Sequence, residues 1–246
     1  MSGSPVDVWY QLTDRLDERE HAEAIELLST TERERWRRFV HEKHRRDFAA
    51  AHALLRRALS ARAARPPTSW QFRTDPSGKP HVHDSDFALQ FNIAHTDGLV
   101  ACALTQAGDI GVDAEAIDRV ADPLDIAARY FSEREVRELH ECDALERRTR
   151  FIELWTLKEA WLKALGTGLR SPLGDFRFEW SNESRLRFVP PPGIAADEWH
   201  FVLLAPSERH RMALAIRCPT PVRLHTRDWS RPDGPPLTIL RTSSPA

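Results

Sequence analysis

Trp155-Thr-Leu-Lys158-Glu159-Ala-Trp-Leu-Lys163-Ala-Leu-Gly166 reads as the closing turns of a helix with two apolar flanks, stopped by a glycine. Its spacing sets Trp155, Glu159 and Lys163 four residues apart, so all three project from one face. A glutamate one turn before a lysine is among the commonest helical pairings, and alone it is a solvated ion pair. A second acidic pair upstream shifts that balance. Asp113-Ala-Glu115 lies in a segment of strand character, where a period of two puts both carboxylates on one face. Asp113, Glu115 and Glu159 together would form an all-oxygen site. Such a site suits Mg²⁺, which completes its shell with waters and substrate phosphates. Magnesium beside a lysine and a basic surface points to phosphate-ester chemistry.

Working outward from the acidic pair, Phe87-Ala-Leu-Gln-Phe-Asn-Ile-Ala94 is a strand candidate ending at His95-Thr-Asp-Gly98. Leu99-Val-Ala-Cys-Ala-Leu104 is a short apolar run, residues 106–109 are a turn, and Ile110 to Glu115 return. That pattern predicts a hairpin. Nearer the N-terminus, Val6 to Leu12 suggests a first strand. Thr31-Glu-Arg-Glu34 matches a capping box with Thr31 as N-cap. A helical stretch follows to Ala64, broken near His41 to His44, with Arg33, Arg35, Arg37, Arg38, Arg45, Arg46, Arg56 and Arg57 on it. Arg65-Pro-Pro67 ends it. Ser69 to Thr74 is a short strand candidate, followed by the turn Asp75 to Pro80.

Beyond the acidic pair, Pro123 to Phe131 predicts a helix, and Ser132-Glu-Arg-Glu135 is a capping box opening another that runs to Cys142. The motif helix is expected over Thr149 to Leu165, with Gly166 and Gly168 as its stop. Further strands are expected at 176–180, 186–189, 200–204 and 211–216, and the Pro-rich chain after Cys218 is expected to be loose. Helices mixed with short antiparallel strands in each half favour the α+β class over a parallel sheet. No sequence-level repeat makes the halves duplicates.

The 246 residues suffice for one large domain or two small ones. Hydrophobic residues at 41% and charged residues at 29% fit an ordinary soluble globular protein, and a net charge of −2 argues against a dedicated nucleic-acid or membrane binder. No apolar run reaches the ~20 residues needed to span a bilayer, and the N-terminus lacks the features of a secretory signal. Cys102, Cys142 and Cys218 form no metal-type pair and read as buried free thiols of a cytoplasmic protein.

Taken together, these motifs resemble the 4′-phosphopantetheinyl transferases of the Sfp type. The resemblance rests on Gly111-Val-Asp113-Ala-Glu115, Phe131-Ser-Glu-Arg-Glu135 and Trp155 to Gly166, with weaker matches at Gly78-Lys79-Pro80 and Phe91-Asn-Ile-Ala-His95. It covers roughly Arg33 to Leu169 in the family's order. Members transfer the phosphopantetheine arm of coenzyme A to a serine of an acyl or peptidyl carrier protein, releasing adenosine 3′,5′-bisphosphate. The resemblance implies that Asp113, Glu115 and Glu159 hold Mg²⁺, with Asp113 also counted among the coenzyme A contacts. Glu159, or a metal-bound water near it, would be the general base. Lys163 would stabilise the pyrophosphate as charge moves onto the leaving oxygen. Lys79 and His95 would contact coenzyme A phosphates, joined by Arg38 and Arg46, with Arg45 and Arg35 close behind. Two departures stand out: Ala94 replaces the usual hydroxyl residue before the histidine, and Arg35 replaces a lysine.

The resemblance also implies a pseudo-dimeric monomer of two similar α/β subdomains related by a pseudo-twofold axis, each with a small antiparallel sheet. Coenzyme A would lie in the cleft between them. The corresponding division is residues 1–109, with the basic helix and phosphate contacts, residues 110–218, with the acidic residues and motif helix, and a Pro-rich extension over 219–246. Carriers of fatty-acid, polyketide or nonribosomal-peptide synthesis all fit, since each offers an acidic helix to a basic one. Two other readings use the same residues: a Mg²⁺-dependent nuclease or phosphodiesterase, and a non-catalytic carrier-binding protein. Individually the residues also have bland readings: strand-end carboxylates for Asp113 and Glu115, a turn hydrogen-bonder for His95, solvated helix positions for the arginines, and core packing for Trp155 and Trp161.

Overall fold

Alternation along two strands explains the layering of the molecule. In the strand Leu99–Thr105, the side chains of Leu99, Ala101 and Ala103 join one core cluster and those of Val100, Cys102 and Leu104 join another. In Ile110–Ala116, Ile110, Val112 and Ala114 join the first of these clusters, while Gly111, Asp113 and Glu115 take the opposite face. Both strands are therefore buried on both sides, and each belongs to the interior of a four-layer stack.

The computed structural model describes residues 3–75, 78–83, 88–166, 171–181, 184–231, 233–234 and 237–243. In chain order its elements are β1 (Ser4–Leu12), α1 (Glu18–Glu26), α2 (Thr30–Arg38), α3 (Glu42–Arg62), β2 (Phe72–Thr74), β3 (Pro80–Val82), β4 (Gln90–Thr96), β5 (Leu99–Thr105) and β6 (Ile110–Ala116). There follow α4 (Leu124–Tyr130), α5 (Glu133–Glu141), α6 (Ala144–Leu165), β7 (Arg177–Trp180), β8 (Leu186–Val189), β9 (Trp199–Ala205), β10 (His210–Arg217), β11 (Val222–Asp228) and β12 (Thr238–Thr242). One sheet has the order β11-β1-β5-β4 and a second the order β12-β9-β10-β6, with β2-β3 and β7-β8 as small pairs. All neighbours are antiparallel except β1 and β11. This is the expected α+β class.

The two larger sheets face each other across Val8, Tyr10, Val112, Leu204 and Met212. α3 covers the outer face of the first sheet through Leu54, Leu55, Ala58 and Leu59, and α6 covers the outer face of the second through Leu157, Ala160 and Ala164. Burying one such leucine contributes about 1.5–3 kcal/mol, so each helix is held chiefly by this apolar face. Among the described residues no helix is long and apolar enough to cross a membrane.

Three expectations are corrected. β5 and β6 do not form a hairpin; they lie in different sheets, and the hairpin partner of β5 is β4, closed by the two-residue turn Asp97-Gly98 with Gly98 at φ 85°. Period-two burial on both faces suits strands that meet across a core equally well as strands that pair, and here the crossing won. The capping box at the start of α2 is Ser29 with Glu32 rather than Thr31 with Glu34. That register lets Glu32 also pair with Arg56 at 2.7 Å and His52 at 2.8 Å. Finally, the chain after Cys218 is not loose: β11 runs along β1 from Ser4↔Val222 to Tyr10↔Asp228, and Trp229 stacks on Trp9 at 5.3 Å. Cys102 and Cys218 are buried free thiols, whereas Cys142 is only half-buried. Phe87, Gly168 and Leu169, named in the sequence expectations, lie outside the described residues.

Candidate active site between the motif helix and the cleft

α6 is capped by Asp143, whose side chain accepts from Leu145 and Glu146 N–H, and ends at Gly166 in the left-handed region, φ 69°. Between these caps the helix crosses β6 at Gly111. A β-carbon there would stand 2.0 Å from the carbonyl oxygen of Ala160 and 2.5 Å from the nitrogen of Ala164. Only glycine permits this approach. The contact lies between Glu159 and Lys163, and thereby lays both over the β6 face that carries Asp113 and Glu115.

Lys163 Nζ lies 2.7 Å from Asp113 Oδ1 and donates to the Val112 carbonyl at 3.2 Å. Asp113 and Glu115 are buried. Glu159 has its carboxyl pushed up to about 6, first by burial and then by the negative charge of Asp113. Asp113 is likewise pushed up by burial, against the pull of Lys163. Two buried oxygens here, Asp113 Oδ2 and Glu159 Oε1, have no hydrogen-bond partner. Glu115 is satisfied differently: Arg119 pairs with its Oε1, and Thr96 Oγ donates to Oε2 at 3.3 Å. Among the described residues no three acidic, histidine or cysteine side chains close around one point. Two mutually repelling carboxylates with orphaned oxygens are nonetheless the chemistry that a hard cation relieves.

Lys163 also reaches into a cleft of about 700 Å³ lined by α2, α3, β2 and β4. Arg35, Phe48, His52, Ala94 and His95 face it. His95 lines the cleft, and its pKa is pushed down, first by desolvation and then by Lys163, His52, Arg35 and His44. Arg35 lies over the ring of Phe48 at 5.4 Å. Such a basic, partly aromatic cleft opening beside an acidic pocket suits a phosphorylated ligand whose reacting end meets a cation. A second cavity, about 390 Å³ between β8 and Trp199, contains none of these carboxylates.

A family model described as the 4′-phosphopantetheinyl transferase superfamily matches residues 109–215, and one for the N-terminal region of 4′-phosphopantetheinyl transferases matches residues 16–107. The 4′-phosphopantetheinyl transferase HetI of Nostoc sp. strain PCC 7120 is 34% identical over 191 residues, covering 77% of this chain and 78% of its own. The chain belongs to the 4′-phosphopantetheinyl transferase superfamily. The transferase Sfp of Bacillus subtilis strain 168 is 32% identical over 176 residues, covering 72% of this chain and 77% of its own. A human relative, L-aminoadipate-semialdehyde dehydrogenase-phosphopantetheinyl transferase, is 25% identical over 240 residues, covering 88% and 77%. Membership makes the chain an enzyme of the phosphopantetheinyl transferase class and sets a nuclease aside.

The structure of this transferase gathers Asp113, Glu159 and Lys163 at one point and His95 at the adjoining cleft. Of the other expected contacts, Arg35 lines the cleft and Lys79, Arg38, Arg46 and Arg45 do not. Lys79 donates to the Ala164 carbonyl at 3.3 Å, holding the last turn of α6, while its neighbours Gly78 and Pro80 line the cleft. Arg38 is exposed and outside the cleft lining. Arg46 is half-buried, with its Nε unpartnered and its charge felt by His21. Arg45 closes the α2–α3 corner, donating from Nε to the Phe39 carbonyl at 2.8 Å.

Three roles had no clear sequence signal. His52 faces the cleft one helical turn before Arg56, and both bind Glu32, whose carboxyl is held down to about 2 against the opposing effect of burial. Gly111 matters through what packs on it. Lys158, fully buried, donates to the carbonyls of Leu173 at 2.8 Å and Phe176 at 2.6 Å and pairs with Glu135 at 2.9 Å. Glu135 in turn caps α5 and accepts from Phe178 N–H at 3.1 Å. The adjacent Lys158 and Glu159 thus divide between core and site.

Proposed function

We propose that this transferase moves the 4′-phosphopantetheine arm of coenzyme A onto a serine of an acyl or peptidyl carrier protein, using Mg²⁺ held by Asp113, Glu115 and Glu159. One observation carries it: the unpartnered buried oxygens of Asp113 and Glu159 beside an ammonium that opens onto a basic cleft. Bound Mg²⁺ would supply charge neutralisation at the coenzyme A pyrophosphate. The cleft, through His95, Arg35 and His52, would seat the nucleotide phosphates. Lys163, freed from Asp113, would meet the charge that builds on the departing phosphate oxygen.

In the reaction the serine oxygen forms a bond to the phosphorus that bears the pantetheine arm. The bond from that phosphorus to the bridging oxygen breaks, and adenosine 3′,5′-bisphosphate leaves. Glu159, or a metal-bound water held near it, would accept the serine proton. Carboxylates, lysine and cleft all come from one chain, so a monomer suffices. Buried unpaired thiols at Cys102 and Cys218 fit a reducing cytoplasm.

The test is Glu159→Gln. It removes a charge that Asp113 opposes, so the metal-free protein should fold and melt at least as well as wild type. Transfer should fall by at least ~10²-fold, the scale of a lost general base. Wild-type turnover in this variant would refute the assignment.

A further inference from the structure

The three carboxylates of the site differ in their partners. Asp113 and Glu159 each keep one buried oxygen free, but Glu115 keeps none: Arg119 pairs with one of its oxygens and Thr96 donates to the other. Arg119 lies one turn beyond Glu115, on the short helical turn Ile117–Arg119 that follows β6. Its side chain is 55% exposed, against 9% for Glu115, so the guanidinium sits at the surface end of a buried carboxylate. Its neighbour Asp118 is held separately by Arg209 at 3.0 Å. The turn therefore aims one residue inward at the acidic site and the other outward at a separate clamp.

We infer that Arg119 is a resident counter-ion that occupies Glu115 until a divalent cation is loaded, so that binding recruits Asp113 and Glu159 directly and Glu115 only by displacing Arg119. This rests on the metal site proposed above. The physical reason is charge. Asp113 and Glu159 repel each other, Glu115 shares the strand face of Asp113, and Lys163 and Arg119 pair with Asp113 and Glu115 without a metal. When the cation arrives, Glu115 cannot serve both partners through the same oxygen. Arg119, already largely in water, is the partner that leaves at little desolvation cost.

The inference has a signature that a purely structural ion pair lacks. Were the Arg119–Glu115 pair simply part of the fold, Arg119→Ala would cost the same stability with or without metal. A displaced counter-ion contributes to the metal-free state alone, so the loss in melting temperature should vanish at saturating metal. Affinity for the metal should also rise, because no competitor remains on Glu115.

The experiment uses Mn²⁺ as the spectroscopic probe, with free ion counted by electron paramagnetic resonance. It compares wild type, Arg119→Ala, Glu159→Gln and Arg209→Gln. Arg119→Ala should bind Mn²⁺ at least about threefold more tightly, the scale of an exposed ion pair removed as competitor. It should melt below wild type without Mn²⁺ and level with it when saturated. Arg209→Gln deletes a nearby cation that does not touch Glu115, and its affinity should match wild type, separating direct competition from the general field. Unchanged or weaker Mn²⁺ binding in Arg119→Ala, or an equal melting loss in both conditions, would overturn the inference. Absence of Mn²⁺ binding in wild type, or undiminished binding in Glu159→Gln, would instead overturn the metal site itself.

Discussion

Replacing Gly111 by alanine tests whether the site exists because α6 can touch β6. The new β-carbon would stand 2.0 Å from the Ala160 carbonyl oxygen, whereas ordinary contact begins at 3.4 Å, so the helix must retreat by about 1.4 Å. Both obstructing atoms belong to the helix backbone and cannot rotate away. The retreat carries Glu159 and Lys163 with it and takes Lys163 Nζ from 2.7 Å of Asp113 Oδ1 to beyond hydrogen-bond reach. A misplacement of ~1 Å between reacting groups can cost about 10²-fold in rate, and overpacking a core contact costs about 1–3 kcal/mol. Timed intact-mass conversion of an apo carrier, alongside thermal melting, should show both losses. Gly174→Ala is the control, since its nearest new contact is 3.6 Å and no retreat is required. Wild-type rate and melting temperature in Gly111→Ala would refute the close-approach argument.

Other outcomes follow from the same geometry. Asp47 is buried beneath Thr13, and its carboxyl is raised to about 6 by desolvation, partly offset by the Thr13 hydroxyl. The folded protein then holds that proton to higher pH than the unfolded chain, so the contribution of Asp47 to stability is fully present below pH 3.8 and is lost as pH rises through 6. The loss is about 3 kcal/mol at most. Denaturant melts of Asp47→Asn should lack that decline. Lys158→Met should cost about 3–5 kcal/mol by stranding Glu135, yet preserve turnover per folded molecule, because Lys158 faces the core. His95, whose pKa is lowered first by desolvation, should gain a proton on binding coenzyme A phosphates. Calorimetry in two buffers of different ionisation enthalpy should show proton uptake that His95→Ala abolishes, with affinity weakening as pH rises.

What could be seen in the chain was whatever depended on neighbours along it. Ser132 with Glu135 announced α5, Gly166 ended α6, and the period of β6 put Asp113 and Glu115 on one face. Helix α1 escaped notice because it is polar and buries only Ala24, although Asp17 and Glu20 form a capping box there. The hairpin error has a similar origin: apolar strands flanking a short turn look alike whether they pair or face each other. Strand β11 draws its stability from a partner more than 200 residues away, which no local pattern reports. For the site, Asp113, Glu159 and Lys163 were legible as a motif. Of the basic lining, His95 and Arg35 were legible and His52 was not, because which side chain faces the cleft depends on how α2 folds back on α3. That corner gives Arg35 to the cleft and spends Arg45 on the Phe39 carbonyl.

The most direct measurement is intact-mass spectrometry of apo acyl and peptidyl carrier proteins incubated with this transferase, coenzyme A and Mg²⁺, with and without EDTA. The expected result is the gain of a single phosphopantetheine arm on the carrier, prevented by EDTA and by Glu159→Gln. An arm transferred equally well in EDTA, or no transfer to any carrier while coenzyme A binds normally, would contradict the proposal that these carboxylates carry a metal-dependent phosphopantetheinyl transfer.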